Sequence, residues 1–133
     1  MKHIFNSYIA NISISSILTG LVYLVGGFDV ALKTLVIIVI LDYISGVLSA
    51  LYNKKLNSKI GFKGIIKKLS YFCIIVLATL LDKLLGNSGA IRTLVIYFLV
   101  ANDGLSIIEN VAKMGVPLPK KLIEALEQLR KED

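Results

Sequence analysis

Apolar residues fill four long stretches of the chain, and short polar or glycine-rich segments separate these stretches. The apolar stretches cover about residues 4–25, 30–52, 69–85 and 91–113. Crossing the hydrocarbon core of a bilayer takes about 20 residues of α-helix. The pattern therefore predicts an all-α membrane protein with three to four transmembrane helices arranged as two hairpins, in a single integral membrane domain over residues 1–133.

The first apolar stretch admits two interpretations. It carries no charged residue, and small polar residues recur along it at the spacing of helical faces, with Asn11, Ser15 and Thr19 on one face and Ser13, Ser16 and Gly20 on another. Small residues let a spanning helix pack closely against its neighbours. Polar stripes also suit a helix that lies at the membrane surface or lines a wet lumen. The predicted number of spans therefore stays at three to four.

A short amphipathic helix is predicted after the fourth stretch, over residues 118–131. Pro117 and Pro119 end the preceding helix, and Pro119 suits the first turn of a new one. One face of the predicted helix is apolar and consists of Leu122, Ile123, Leu126 and Leu129. The segment is too short and too charged to span, so we expect a cytoplasmic tail.

The position of the basic residues predicts which side of the membrane each connection occupies. The chain is 56% hydrophobic, above the roughly 45–50% of soluble domains. Its net charge is +6, and the charged residues flank the apolar stretches. The predicted loop over residues 53–68 contains six lysines and no acid: Lys54, Lys55, Lys59, Lys63, Lys67 and Lys68. Connections rich in lysine and arginine stay cytoplasmic. We therefore expect a multi-pass membrane protein with a cytoplasmic C-terminus.

The same six lysines make anionic membrane lipids a predicted partner. A lysine near the membrane surface gains about 1 kcal/mol from anionic headgroups. A solvated loop that only sets topology is the simpler interpretation, and both stay open. Because the positive charge flanks apolar stretches, nucleic acid is not an expected partner.

Two acids fall near the middle of predicted spans, Asp42 in the second and Asp103 in the fourth. A charged side chain at mid-bilayer costs about 2.5–3.5 kcal/mol on insertion scales. No lysine or arginine is expected at their depth. The two acids would therefore be protonated, would face water in an oligomer, or would accept hydrogen bonds from neighbouring side chains: Tyr43, Ser45, Tyr97 and Asn102.

Two polar surfaces are candidates for helix contact. Small residues one turn apart after Asp42 form a predicted contact or oligomerisation face of the second helix, which comprises Asp42, Ser45, Gly46, Ser49 and Ala50. The fourth helix carries a polar stripe, which could line a lumen and comprises Asn102, Asp103, Ser106, Glu109 and Asn110. Across the outer turn between the third and fourth helices, Asp82 and Arg92 are expected to form an ion pair.

No catalytic constellation is present in the sequence, so we predict no enzyme, no cofactor and no metal site. The chain lacks CxxC, HExxH, GxSxG and phosphate-loop motifs. The only histidine, His3, has no partner in the sequence. Asp103 and Glu109 with Mg²⁺ leave a small membrane lipid kinase as a minor alternative.

Three motifs together resemble those of the phage and toxin-secretion holins of Gram-positive bacteria, the clostridial type in particular. The first is D-x-x-S-G at Asp42–Gly46, and the second is the block S-K-x-G-x-K-G-I-x-K-K at Ser58–Lys68. The third combines Asn102 and Ile108–Asn110 with G-x-P-x-P-x-x-L at Gly115–Leu122. The resemblance runs from about residue 41 to the end, whereas the first forty residues match only in character.

The resemblance implies a non-enzymatic pore former. Such proteins form homo-oligomers in the bacterial cytoplasmic membrane and open lesions that release an endolysin or large toxins. The cargo is not stably bound, and an antiholin is a further partner that the resemblance allows. An antiholin or a small ion channel or transporter would share these sequence features, and both stay open as alternatives.

Overall fold

The computed structural model describes residues 1–131 and folds them into five α-helices. These are α1 (Lys2–Leu24), α2 (Val30–Tyr52), α3 (Ser58–Leu85), α4 (Ala90–Ala112) and α5 (Lys120–Lys131). Helices α1 to α4 are each long and apolar enough to cross a membrane. The predicted fold class, an all-α membrane protein with a short C-terminal helix, is confirmed.

Helix α3 begins at Ser58, whereas the sequence predicted a loop up to residue 68 and a third span starting at Leu69. Asn57 caps the helix, because its side chain accepts a hydrogen bond from the backbone nitrogen of Lys59 at 2.9 Å. The lysines and isoleucines of this segment are compatible with a helix, and α3 continues through the glycines at 61 and 64. The connection between α2 and α3 is therefore short, and most of the basic segment is helical.

Helix α4 is the centre of the bundle and packs against α2, α3 and α5, whereas direct contact between α2 and α3 is sparse. Ile96 and Asp103, both on α4, are fully buried. Contacts at the two ends of the bundle show that α2 and α4 run in the same direction. Arg92, near the start of α4, binds Asp29 beside the start of α2, and Asn53 after α2 contacts Lys113 after α4. We call the first the Arg92 end and the second the lysine-rich end.

Helix α1 stands apart from this bundle. None of its residues from Lys2 to Leu24 is buried, and only Val25, just after the helix, joins the hydrophobic core. Its polar side chains are partly satisfied by its own backbone, since Ser16 and Thr19 donate hydrogen bonds to carbonyl oxygens one turn earlier. The first span is thus the one with the most unpartnered surface in a single chain.

Helix α5 folds back along α4, with its apolar face inward. Leu126 lies on Gly104 so closely that a Cβ atom at Gly104 would come within 2.7 Å of the leucine side chain. Glycine at this position lets the two helices approach each other. The predicted amphipathic tail therefore exists as a helix, and it docks on the second half of α4, where it contacts Gly104.

Candidate functional site

One lysine of α3 joins the two intramembrane acids of α2 and α4. Lys68 Nζ lies 2.7 Å from Asp42 Oδ2 and 2.8 Å from Asp103 Oδ2. Asp103 is fully buried, and Asp42 is 7% exposed. We call Asp42, Lys68 and Asp103 the charge triad. It links three helices through one ammonium group.

Neutral side chains form further hydrogen bonds to the two carboxylates of the triad. Tyr71 donates its hydroxyl hydrogen to Asp103 Oδ1 at 2.7 Å. Asn110 Nδ2 donates to Asp42 Oδ1 at 3.3 Å and to Ser45 Oγ at 3.0 Å. Among residues 1–131, no buried polar side-chain atom lacks a hydrogen-bond partner. The triad is therefore an internally satisfied network, and such a network costs most when one member is removed.

The triad lies inside the span rather than at its edge. At 1.5 Å per residue, Asp42 and Asp103 stand roughly 18–20 Å along α2 and α4 from the Arg92 end. The hydrocarbon core of a bilayer is about 30 Å thick. Three ionisable groups are tolerated at this depth only because they form ion pairs with one another.

The expectation that no basic residue reaches the depth of Asp42 and Asp103 is wrong. Lys68 was assigned to a loop, but the early start of α3 places it nearly three turns into a helix. Its long aliphatic stem carries the ammonium group inward. A signal was present in the sequence. Lys68 falls at helical spacing with the buried face of α3, which consists of Tyr71, Ile75, Ala78, Thr79 and Asp82.

A second polar cluster closes the opposite end of the bundle, and we call it the Arg92 clasp. The guanidinium of Arg92 donates to Asp29 Oδ2 at 2.8 Å and to the carbonyl oxygen of Gly27 at 2.9 Å. Its Nε donates to the carbonyl oxygen of Val25. Gly26 lies against this side chain with a φ of +84°, and any Cβ there would clash with Arg92. The clasp fastens the α1–α2 linker to the start of α4.

The predicted ion pair between Asp82 and Arg92 is not the one that forms. Asp82 accepts hydrogen bonds from the backbone nitrogens of Ile91 and Arg92 at 2.9 and 2.8 Å. It therefore caps α4, whose first nitrogens have no partner within the helix. The Arg92 side chain is left to bind Asp29, which the sequence did not suggest as its partner.

The clasp gives Asp29 a distinct acid dependence. Hydrogen bonds from the Arg92 guanidinium lower the pKa of the Asp29 carboxyl below its ordinary value of 3.8. Stability from this pair is then fully present above pH 3.8 and is lost as the pH falls through the lower pKa of the folded state.

We expect the difference in melting temperature between the wild type and Asp29→Asn to stay constant above about pH 5 and to shrink below pH 3.8. Asparagine also caps helices well, so this exchange mainly removes the charge. Thermal unfolding of both proteins followed by circular dichroism across this range checks the prediction. A difference that grows on acidification would contradict it.

The predicted contact face of α2 packs against α4 of the same chain. Asp42, Ser45 and Ser49 are buried, and Gly46 and Ala50 are half-buried. A Cβ at Gly46 would meet the Asn110 amide at an ordinary 3.6 Å. The face is thus used inside one chain, and its use between chains stays a prediction.

The polar stripe of α4 divides between two directions. Asp103 is buried and belongs to the triad, the half-buried Asn110 donates to Asp42, and the half-buried Ser106 lines the same cleft as Asp42. Asn102 and Glu109 are exposed, and Asn102 reaches the Tyr71 hydroxyl at 3.4 Å. The stripe therefore does not form one continuous polar surface that could line a lumen.

The basic segment divides in the same way. Lys68 belongs to the triad, whereas the other five lysines are exposed: Lys54 and Lys55 at the lysine-rich end, and Lys59, Lys63 and Lys67 along the first three turns of α3. Within residues 1–131, no group of histidine, cysteine, aspartate or glutamate is arranged to hold a metal ion. The chemistry of these clusters is helix linkage and surface charge.

Comparison with known proteins gives consistent matches. A model described as the bacteriophage holin family matches residues 19–131. A Clostridium perfringens protein described as an uncharacterized 14.9 kDa protein is 43% identical over 117 residues, which cover 87% of this chain and 89% of that protein. No solved structure matches the chain.

More distant relatives come from Bacillus subtilis and from a Bacillus phage. The uncharacterized protein YqxH of Bacillus subtilis is 36% identical over 111 residues, covering 84% of this chain and 79% of its own length. A probable holin of Bacillus phage phi105 is 29% identical over 102 residues, covering 77% of this chain and 76% of its own length. The family match begins inside α1, so most of that helix lies outside it.

Proposed function

Because the chain belongs to the bacteriophage holin family, we propose that it is a holin that oligomerises in the bacterial cytoplasmic membrane and forms lesions there. The lesions release an endolysin or large toxins. The observation that carries the proposal is the family match over α2 to α5, which includes the charge triad and three of the four candidate spans. The similarity to a probable holin of a Bacillus phage supports it.

The lesion forms between chains rather than through one chain. The triad, the Arg92 clasp and local bonds to the backbone, such as those of Thr79 and Asp82, satisfy buried polar groups of the bundle. Within residues 1–131, no buried polar side-chain atom is left without a hydrogen-bond partner to line a passage. Helix α1, in contrast, has only exposed residues. Its polar stripe of Asn11, Ser15 and Thr19 is not covered by another helix of the described chain. We propose α1 as the helix through which chains assemble.

The lysine-rich end faces the cytoplasm in this proposal. The exposed lysines at this end and along the first turns of α3, together with the basic residues of α5, follow the rule that short segments rich in lysine and arginine stay inside. The Arg92 end then faces outward, and the end of α4, from which α5 folds back, faces the cytoplasm together with the C-terminus.

Expression of the chain together with an endolysin tests the proposal. We expect a sharp fall in culture turbidity after induction, and no such fall with either protein alone. Asn11→Leu combined with Ser15→Leu is expected to abolish lysis while the protein still enters the membrane, because the change removes the polar stripe of α1. Ile12→Leu combined with Ile17→Leu is the matched control and should lyse normally.

The outcomes of this experiment separate the functions. Absence of lysis with an intact membrane potential would overturn the holin proposal. Discrete conductance without endolysin release would indicate a small channel instead. Normal lysis by the variant lacking the polar stripe would be compatible with the holin function but would show that chains do not assemble through the polar stripe of α1.

A further inference from the structure

An open cleft separates α2 from the first half of α3. It encloses about 350 Å³, within the size range of ligand pockets. Its walls are mostly apolar or small, and the residues that shape it include Val47, Leu56, Ile60, Gly61 and Gly64. A Cβ at Gly64 would meet no atom within 4 Å. Small residues therefore keep the cleft open where α2 and α3 contact each other only sparsely.

A second pocket of about 400 Å³ adjoins the cleft at the lysine-rich end and shares Lys55 with it. It lies between the ends of α2 and α4 and adds Asn53 and Lys113 to the lining. Asn53 Nδ2 contacts the carbonyl oxygen of Lys113 at 3.4 Å, which ties the two helix ends together. A polar, positively charged pocket thus continues into a largely apolar cleft.

Within residues 1–131, no acidic side chain neutralises the positive charge of this polar pocket. No salt bridge in residues 1–131 involves Lys55 or Lys113. Asp42, the acid at the floor of the cleft, already binds Lys68. Lys54 adopts a left-handed φ of 55°, a conformation that glycine usually takes at a helix end. The backbone nitrogen of Lys55 then donates a hydrogen bond to the carbonyl oxygen of Ala50 at 2.8 Å. This turn places Lys55 in the polar pocket.

We propose that the two pockets form one binding site for an anionic phospholipid. Lys55 and Lys113 bind the phosphate group, and one acyl chain lies in the cleft between α2 and α3. Basic pockets between transmembrane helices are a known class of site for anionic headgroups. The apolar half of the site favours a lipid over a free phosphate ion. This assignment goes beyond lesion formation and does not depend on it, because the cleft is formed within one chain.

Thermal unfolding of the purified full-length protein in detergent tests the site with three probes: phosphatidylglycerol, phosphatidylcholine and inorganic phosphate. Only phosphatidylglycerol is expected to raise the melting temperature in a saturable way. Lys55→Gln and Lys113→Gln should each weaken its apparent affinity about fivefold, because each lysine contributes about 1 kcal/mol near the surface. Lys59→Gln, on the same basic segment but outside the site, should change it less than about twofold.

Filling the cleft is the second arm of the experiment. Gly64→Leu is expected to abolish saturable binding of phosphatidylglycerol and still fold, because the position is open and leucine favours helix. Gly20→Leu on α1, also at an open position, is the matched control and should bind as the wild type does. Circular dichroism and gel filtration confirm that each variant is folded.

Three results would overturn the site. Equal stabilisation by phosphatidylcholine would show that the site does not recognise the net charge of the lipid. Equal stabilisation by inorganic phosphate would show that the acyl chain does not contribute to binding. Equal losses in Lys59→Gln and Lys55→Gln would show that only diffuse charge attracts the lipid. None of these results bears on lysis, so failure of the site and failure of the holin proposal are distinguishable.

Discussion

Lys68→Met is expected to destabilise the bundle by about 3–5 kcal/mol, because it leaves two buried carboxylates without their shared cation. Asp103 would keep the Tyr71 hydroxyl, and Asp42 would keep only the amide of Asn110. Neither neutral donor replaces an ammonium group at this depth. Thermal unfolding in detergent and the amount of protein recovered from membranes are the measurements, and both should fall sharply.

A matched variant and a rescue make this result specific to the triad. Lys67→Met removes the adjacent lysine, which is exposed, and should stay within about 0.5 kcal/mol of the wild type. Adding Asp42→Asn and Asp103→Asn to Lys68→Met should restore most of the lost stability, since a buried charge cluster replaced as a whole costs little. Equal stability of Lys68→Met and Lys67→Met would show that the triad does not hold the helices together.

Arg92→Met is expected to cost about 2–3 kcal/mol, mainly because the carbonyl oxygens of Val25 and Gly27 lose their donors. Arg92 itself is 7% exposed. Hydrogen exchange of the linker at residues 25–29 should become faster, because the clasp fixes this linker to α4. Thermal unfolding and hydrogen exchange measured by mass spectrometry are the two measurements.

Two further variants separate the contributions to the clasp. Asp29→Asn should cost less than about 1 kcal/mol, since the Asp29 side chain is 52% exposed and an exposed pair contributes little. Arg92→Lys keeps the charge but loses the planar fork, so it should fall between the other two. If Asp29→Asn costs as much as Arg92→Met, the ion pair rather than the carbonyl hydrogen bonds carries the clasp.

The spans and their order were predictable, because hydropathy and helix-ending residues are local properties of the sequence. The four candidate spans and the helix after Pro119 are present, and the resemblance to holins drawn from three motifs is confirmed by the family match. The start of α3 was missed because a run of lysines predicts topology strongly and helix only weakly. Asn57, a good helix cap, falls inside the loop that the sequence predicted over residues 53–68.

The partners of the charged side chains were not predictable to the same degree. Asp42 and Asp103 were identified as requiring an explanation, but which cation reaches them depends on how three helices pack. Lys68 lay among six lysines of similar appearance, and only its spacing with Tyr71 and Ile75 distinguished it. For Arg92, proximity in sequence favoured Asp82, whereas the folded chain brings the distant Asp29 to its side chain.

The small-residue face of α2 shows a further limit of the sequence. Its spacing predicts a surface for close helix contact, and Ser45 and Ser49 are buried in the folded chain. The sequence could not tell whether the contacting helix belongs to the same chain. In the folded chain that helix is α4, and α1 is the one span of the described chain with no buried residue.

Disulfide cross-linking in membranes tests most directly whether α1, and not the face of α2, joins the chains. Single cysteines at Ser15 on α1 and at Ser45 on α2 are introduced with Cys73→Ser, so that each protein has one thiol. We expect covalent dimers from Ser15→Cys and none from Ser45→Cys, because Ser45 is buried against α4. Dimers from Ser45→Cys and none from Ser15→Cys would contradict assembly through α1.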